Sequence, residues 1–335
     1  MHKENIVPVL FVMSALLLFV GGVVLGSVIN GNPGSSKTEA TSIEIHNNKG
    51  TLTSPLLVCD TSTAIGSREF SSFERTLNSA VDTYIGSGKA THVAIYFRNL
   101  LDGAWFGIKE KEIFTPASLL KVPAMIAVFK QVESDPTLLD QKLKYERVYD
   151  QEKPYFEPQE QLEIGKEYTV DELISRMIRF SDNEAMFLLR EKSDPKLVEN
   201  LYKDLRLIPP DESIFNDFMT IKDYSSFFRI LFNASYLSVP LSNKALALLT
   251  SIQFNQGISA GLTPDIVVAH KFGERTYTDD NSKQLHDCGI VYFPNNPYML
   301  CVMTKGKDFE MLASVIRDIS KKVLDEIKIR SNENK

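Results

Sequence analysis

The sequence predicts an α+β fold: an antiparallel sheet flanked by terminal helices, beside an all-helical subdomain, preceded by an N-terminal transmembrane helix. Three observations lead there. Strand-like segments fall near both ends of the folded part, helical periodicity fills the stretch between them, and an uncharged apolar run opens the chain. With 335 residues, 43% of them hydrophobic, the chain is long enough to bury one large core or two small ones.

The apolar run comes first. Ile6 to Ile29 (IVPVLFVMSALLLFVGGVVLGSVI) carries no charge over 24 residues, and about 20 apolar residues span a bilayer. The apolar core of a cleaved signal peptide is shorter, ~7–15 residues, and ends at a small-x-small site. Residues 6–29 therefore read as an uncleaved single-pass anchor, with residues 1–5 as a cytoplasmic stub and the folded part extracytoplasmic. The charge bias is weak: His2 and Lys3 precede the span, and Lys37 and Lys49 follow at a distance. Gly22 and Gly26 have the GxxxG spacing that packs two anchors into a weak homodimer, although glycines in an anchor more often carry no such role. Residues 30–55, rich in Gly, Ser, Thr and Asn without apolar periodicity, read as a flexible linker. Residues 56–330 form the folded domain and 331–335 a tail.

Within that domain, Ser67 to Ile85 spaces Phe70, Phe73, Leu77, Val81 and Ile85 as on one helix face. Thr91–Leu100 and Ala104–Ile108 alternate as strands about an Asp102–Gly103 turn. A helix opens near Ser118, and further helices are expected over 169–180, 183–192 and 221–233. Val267–His270 is a β-branched run into Lys271 on an edge strand. Cys288–Phe293 and Tyr298–Thr304 flank Pro294–Asn295–Asn296–Pro297 as a hairpin, and a closing helix follows from Asp308 to about Ile327.

Composition excludes some classes of function. The net charge is -6 and the basic residues are scattered, so the chain lacks the stripe that nucleic acid requires. Cys59, Cys288 and Cys301 are too few and too dispersed for a disulfide framework or a zinc site and read as buried thiols.

Three short segments carry chemistry. In Phe114–Thr115–Pro116–Ala117–Ser118–Leu119–Leu120–Lys121, the Thr-Pro pair starts a helix, and Ser118 and Lys121, three apart, share one face. A serine hydroxyl needs a base, and a desolvated lysine can serve. The same spacing at Ser193 and Lys196 shows how little it means alone. Ser181–Asp182–Asn183 has an ordinary use as a helix N-cap; its functional reading makes Ser181 a proton relay and Asn183 an amide contact to substrate. His270–Lys271–Phe272–Gly273 reads either as an ordinary strand end or as a lysine supplying positive charge beside a glycine that admits substrate backbone.

Ser-x-x-Lys, Ser-Asp-Asn and Lys-x-Gly, in this order, resemble the signature of class A β-lactamases and penicillin-binding proteins. FTPASLLKVPAMIAVF, TVDELISRMIRFSDNEAMFLL, VVAHKFGE and CGIVYFPNNPYMLCVMT are similar to the family's stretches, so the resemblance runs over roughly residues 60 to 330. It implies a β-lactamase/transpeptidase-like fold and an acyl-enzyme on Ser118, with Lys121 as base and Ser181 and Lys271 passing a proton to the departing nitrogen. The backbone N–H groups of Ser118 and Glu274 would form the oxyanion hole. No metal or organic cofactor is implied. The substrate would be a β-lactam or a peptidoglycan peptide: β-lactam hydrolysis, with a D-alanyl-D-alanine carboxypeptidase or a weakly catalytic tethered sensor as alternatives.

The chain departs from the family pattern in two places. Phe272 stands where a Thr or Ser hydroxyl would hold a substrate carboxylate; either Arg275 takes that role through a bidentate fork or Phe272 points into the core. The loop before Thr220 is short, yet Glu212 and Asn216 keep the Glu-x-x-x-Asn spacing that would place a deacylating water, unless Pro209–Glu212 is a solvated turn.

Overall fold

The computed structural model describes residues 52–54, 70–149, 154–157, 160–209 and 216–333. The anchor at 6–29, Gly22 and Gly26, Cys59 and Glu212 lie outside them. Among the described residues, no helix is long and apolar enough to cross a membrane.

The chain opens with α1 (Ser71–Gly86), β1 (His92–Asn99), β2 (Trp105–Ile108) and the short β3 (Ile113–Phe114). A 3-10 turn, Ala117–Leu120, leads into α2 (Lys121–Ser134). The helical half follows: β4 (Lys142–Lys144), β5 (Glu167–Thr169), α3 (Val170–Arg179), α4 (Asn183–Arg190), α5 (Pro195–Asp204), β6 (Met219–Thr220), α6 (Ile221–Phe232) and α7 (Val239–Leu249). The chain then returns through β7 (Val267–Thr276), β8 (Lys283–Tyr292) and β9 (Tyr298–Gly306) to α8 (Phe309–Glu333).

The five-stranded sheet runs β2-β1-β9-β8-β7, every pair antiparallel, so strands from both ends of the domain lie side by side. Period-two alternation divides its side chains between two cores. Ala94, Tyr96, Met299, Cys301 and Met303 face the helical half. Val93, Ile95, Phe97, Leu300 and Val302 face the terminal helices α1 and α8. Helix starts follow local chemistry: Thr169 and Glu172 form a reciprocal capping box on α3, and Asp182, Asp194 and Thr220 cap α4, α5 and α6.

Two sequence readings are corrected here. The end of the expected linker is docked: Asn243 Oδ1 accepts from the N–H groups of Leu52 and Thr53, and Ser54 N–H donates to Phe232 O. Thr53 and Ser54 are buried by these contacts, which supply the partners that the polar stretch lacks by itself. Cys288 and Cys301 are buried as expected but are joined in a disulfide rather than free. The hairpin register sets them directly opposite each other on β8 and β9, a pairing that sequence separation hides.

Candidate active site

Ser118 sits on the 3-10 turn ahead of α2, on a rigid base. Thr115 N–H donates to Gln284 Oε1 at 3.1 Å, and its hydroxyl lies 2.9 Å from Asp217 Oδ1 and 2.6 Å from Tyr277 OH. Asp217 Oδ1 also accepts from Gln284 Nε2 at 2.7 Å and Tyr277 OH at 2.8 Å. These hydrogen bonds help hold its carboxyl below the usual range against the opposing effect of burial. Ala117 takes a left-handed φ of 50° just before Ser118, and Ser181 one of 56°. Non-glycine residues adopt this region at a cost, typically where a site demands it.

Lys121 has no exposed surface. Its Nζ lies 2.7 Å from Ser118 Oγ, 2.5 Å from Asn183 Oδ1, 3.0 Å from Ser181 O and 3.3 Å from Ser181 Oγ. The Asn183 and Ser181 carbonyl oxygens can only accept. They take two N–H groups of the Lys121 amine, with the Ser118 hydroxyl also within hydrogen-bond reach. Asn183 thus holds Lys121 through its amide oxygen, besides lining the cleft. Asp182 caps α4 by accepting from Ala185 N–H at 3.2 Å, so the Ser-Asp-Asn run serves both as a cap and at the site.

The sheet edge supplies the opposite wall. Lys271 is fully buried on β7 and donates to Ser181 Oγ at 2.9 Å and Phe272 O at 2.9 Å. Burial, and then the neighbouring Lys121, hold its amine well below the ordinary lysine value, against the pull of Asp287 and Glu274. Asp287 is itself engaged, 2.8 Å from His270 Nδ1 and accepting from Ile258 N–H at 2.8 Å.

Gly273 has a reason that the sequence did not reveal. A Cβ there would lie 2.6 Å from Pro116 O and 3.0 Å from Leu119 N, so the missing side chain admits the chain's own serine turn rather than substrate. The contact packs β7 against the 3-10 turn that carries Ser118.

Ser118, Lys121, Ser181 and Asn183 line a cleft of about 530 Å³ with Glu274 and Arg275. Asn216 does not join them: it is exposed, at the end of a loop whose central residues, Glu212 among them, are not described. Ser193 spends its hydroxyl on Leu189 O, away from the site. Phe272, 4% exposed, sits in the core that faces α8, stacked on Phe254 at 4.3 Å between centroids. This is the core-facing alternative, although one edge of the ring still walls the cleft.

Sequence reasoning missed the strap Pro154–Phe156, which lines the same cleft. Phe156 N–H donates to Glu274 Oε1 at 3.1 Å, and its ring meets Phe272 at 5.8 Å and Phe254 at 4.9 Å. Tyr155 packs on Phe309 at 4.8 Å and donates to Glu310 Oε1 at 3.1 Å. The strap thus reaches from the helical half to β7 and the start of α8. Burial, the largest influence, raises the Glu274 carboxyl above its ordinary value. The available signal was an aromatic pair between Pro154 and Pro158 in an otherwise charged stretch.

The fold has known relatives. PBP-A, in a mutant acyl-enzyme complex with penicillin G, is 20% identical with a TM-score of 0.63, over 77% of this chain and 97% of that one. The TLA-1 extended-spectrum β-lactamase is 19% identical with a TM-score of 0.65, over 76% and 98%. A class A β-lactamase from Mycobacterium abscessus is 20% identical with a TM-score of 0.64, over 75% and 99%. At such identities the likeness speaks for the α+β fold alone. No curated protein matches in a sequence comparison. A family model does match, that of the β-lactamase enzyme family, over residues 74–327, most of the chain. It spans all three motifs and both cores, and on that match the chain belongs to the β-lactamase enzyme family.

Proposed function

We propose that this chain is a membrane-anchored, extracytoplasmic serine hydrolase that opens the amide of a β-lactam through an acyl-enzyme on Ser118. The observation that carries the reading is the placement of Lys121, buried, with two obligate acceptors on its Nζ and the Ser118 hydroxyl 2.7 Å away. In the acylation step Lys121 takes the Ser118 proton as Oγ bonds to the carbonyl carbon. The backbone N–H groups of Ser118 and Glu274 receive the oxyanion. The C–N bond then breaks, and the proton reaches the departing nitrogen through Ser181, whose Oγ lies between Lys121 and Lys271. Arg275, on the same strand, is the cation proposed for a substrate carboxylate. Water then releases the acyl group, with Glu212 as the proposed base.

The anchor rests on the uncharged run at 6–29. Placement outside the cytoplasm is supported by the Cys288–Cys301 disulfide, since such bonds persist in oxidising compartments.

A second reading, a D-alanyl-D-alanine peptidase or slow penicillin binder, is favoured by one observation. Among the described lining residues the sole carboxylate is Glu274, which is tied to Phe156, and Asn216 faces solvent. Mass spectrometry of the protein over time after exposure to a penicillin tests both. An adduct that forms on Ser118 and is quickly lost supports β-lactam hydrolysis. A persistent adduct selects the second reading, and no adduct overturns both.

A further inference from the structure

One face of α4 forms a wall of the catalytic cleft. Asn183, Met186, Phe187 and Arg190 all line it, and steps of three, four and seven residues keep side chains on a single helix face. Asn183 marks the reacting end: its Oδ1 lies 2.5 Å from Lys121 Nζ, which in turn lies 2.7 Å from Ser118 Oγ. Met186 and Phe187, both half-buried, make the middle of the row apolar. Arg190 closes the row, about 10 Å along the helix axis from Asn183. The wall is thus graded, polar beside the serine, apolar next and cationic at the far end.

Arg190 is exposed and, among the described residues, has no hydrogen-bond or ion-pair partner. The acids nearest to it in the chain are engaged elsewhere. Glu184 Oε2 accepts from Tyr145 OH at 2.6 Å and Tyr149 N–H at 2.8 Å, and Glu191 Oε1 accepts from Tyr149 OH at 2.8 Å. The rest of the cleft does not balance the charge either. Its described lining sets the Arg190 and Arg275 guanidinium groups against one carboxylate, Glu274, which already accepts from Phe156 N–H. A cation in a last turn suits the helix dipole on any side of a helix. Position 190 puts this one on the cleft side, at the end of an apolar strip, where its planar fork can seat a carboxylate through two hydrogen bonds.

We infer that the face of α4 from Met186 to Arg190 is a subsite for a distal carboxylate on the substrate, with Arg190 as the residue that selects it. Resting on the serine-hydrolase reading, this makes the preferred substrate a chain that is apolar next to the attacked carbonyl and anionic about 10 Å beyond it. That reach is the length of about three extended residues.

The test measures binding and requires no turnover. Two penicillins serve as probes, one with a 6-adipoyl side chain ending in a carboxylate and one with the same chain ending in a primary amide. Affinities are read by calorimetry in detergent on the full-length Ser118→Ala protein, which cannot be acylated at that position. The acid should bind about two- to five-fold more tightly than the amide at low salt, the range of an exposed ion pair, and the preference should fade at high salt. Adding Arg190→Gln should abolish the preference, Arg190→Lys should keep part of it and Arg190→Glu should reverse it. Equal binding of the two probes, or a preference that survives Arg190→Gln, overturns the subsite, as does a failure of both probes to bind. Arg190 is exposed, and a melt matching that of Ser118→Ala shows that each variant is folded. Penicillin labelling of Ser118 in the unmutated protein is scored independently, so failure of the subsite and failure of the hydrolase reading give different results.

Discussion

The two walls of the cleft are built on opposite plans. The helical wall, with Lys121, Ser181 and Asn183, is a tight polar lattice whose short hydrogen bonds fix these side chains beside Ser118. The wall formed by the edge strand and the strap is aromatic, with Phe156, Phe254 and Phe272 packed ring against ring. Lys271 belongs to the strand but acts across the divide on Ser181. On the proposed function the difference teaches a division of labour: the polar wall would determine what reaction can occur, and the aromatic wall what may lie beside it. Changes on the first should strike rate, and changes on the second should strike stability and choice of substrate.

The comparison breaks at once if the largest effects do not fall on the polar wall. Ser118→Ala should abolish covalent penicillin labelling, while Ser193→Ala leaves it intact; labelling that survives the loss of Ser118 places the nucleophile elsewhere. Lys121→Met should slow acylation by about 10²- to 10⁴-fold, the usual contribution of a positioned general base. Stopped-flow kinetics check it, and a loss below ten-fold would remove Lys121 from that role.

On the aromatic wall, Phe272→Thr should cost about 3–5 kcal/mol of stability, the range for truncating a buried phenylalanine, with no gain in acylation rate. Thermal melts and the same kinetics decide it. A faster, well-folded mutant would show instead that the ring displaces a useful hydroxyl.

Lys271 gives a pH test. Its amine is depressed in the fold, whereas in the unfolded chain it titrates near about 10.4. The unfolded state therefore binds a proton that the fold has shed, and stability rises with pH from the depressed value up to about 10.4. Melting temperatures of wild type minus Lys271→Met should climb across alkaline pH, and a flat difference would contradict the buried, depressed amine.

The smallest effect concerns Glu274→Gln. The amide still accepts from Phe156 N–H but removes a negative charge from the cleft, so an anionic penicillin should acylate several-fold faster at low salt, less so at high salt. A salt-independent rate would show that Glu274 acts only on the strap.

What the sequence disclosed follows from distance along the chain. The spacing of Ser118 and Lys121, the cap at Asp182 and the Thr169–Glu172 box are local, and each could be read from neighbours within one turn. Lys271 on an edge strand was legible from its β-branched approach, and β7 does lie at the sheet edge. Two facts were hidden because each depends on partners far away, the Cys288–Cys301 pairing on hairpin register and the fit of Gly273 on Pro116, and the choice between the two readings of Phe272 needed its distant partner Phe254. Helices α5 and α7 escaped notice although prolines at their first turns fit the helix-start rule. The three-residue strands β4 and β5 are too short for alternation to register.

The seat of Gly273 on Pro116 O and Leu119 N sets a limit on how this cleft can breathe. With no side chain between them, the edge strand and the serine turn mesh like two halves of a closed hinge leaf. The strand that carries Glu274 and the turn that carries Ser118 are thus in direct contact, which on the proposed function helps keep the two backbone amides aligned. A bulky guest would make room by lifting the strap, whose grip on β7, among the described residues, is backbone hydrogen bonding to Glu274 and a set of ring contacts. Replacing Gly273 by alanine would wedge that leaf apart, and on the proposed function it would spoil the oxyanion pocket before the strap was disturbed.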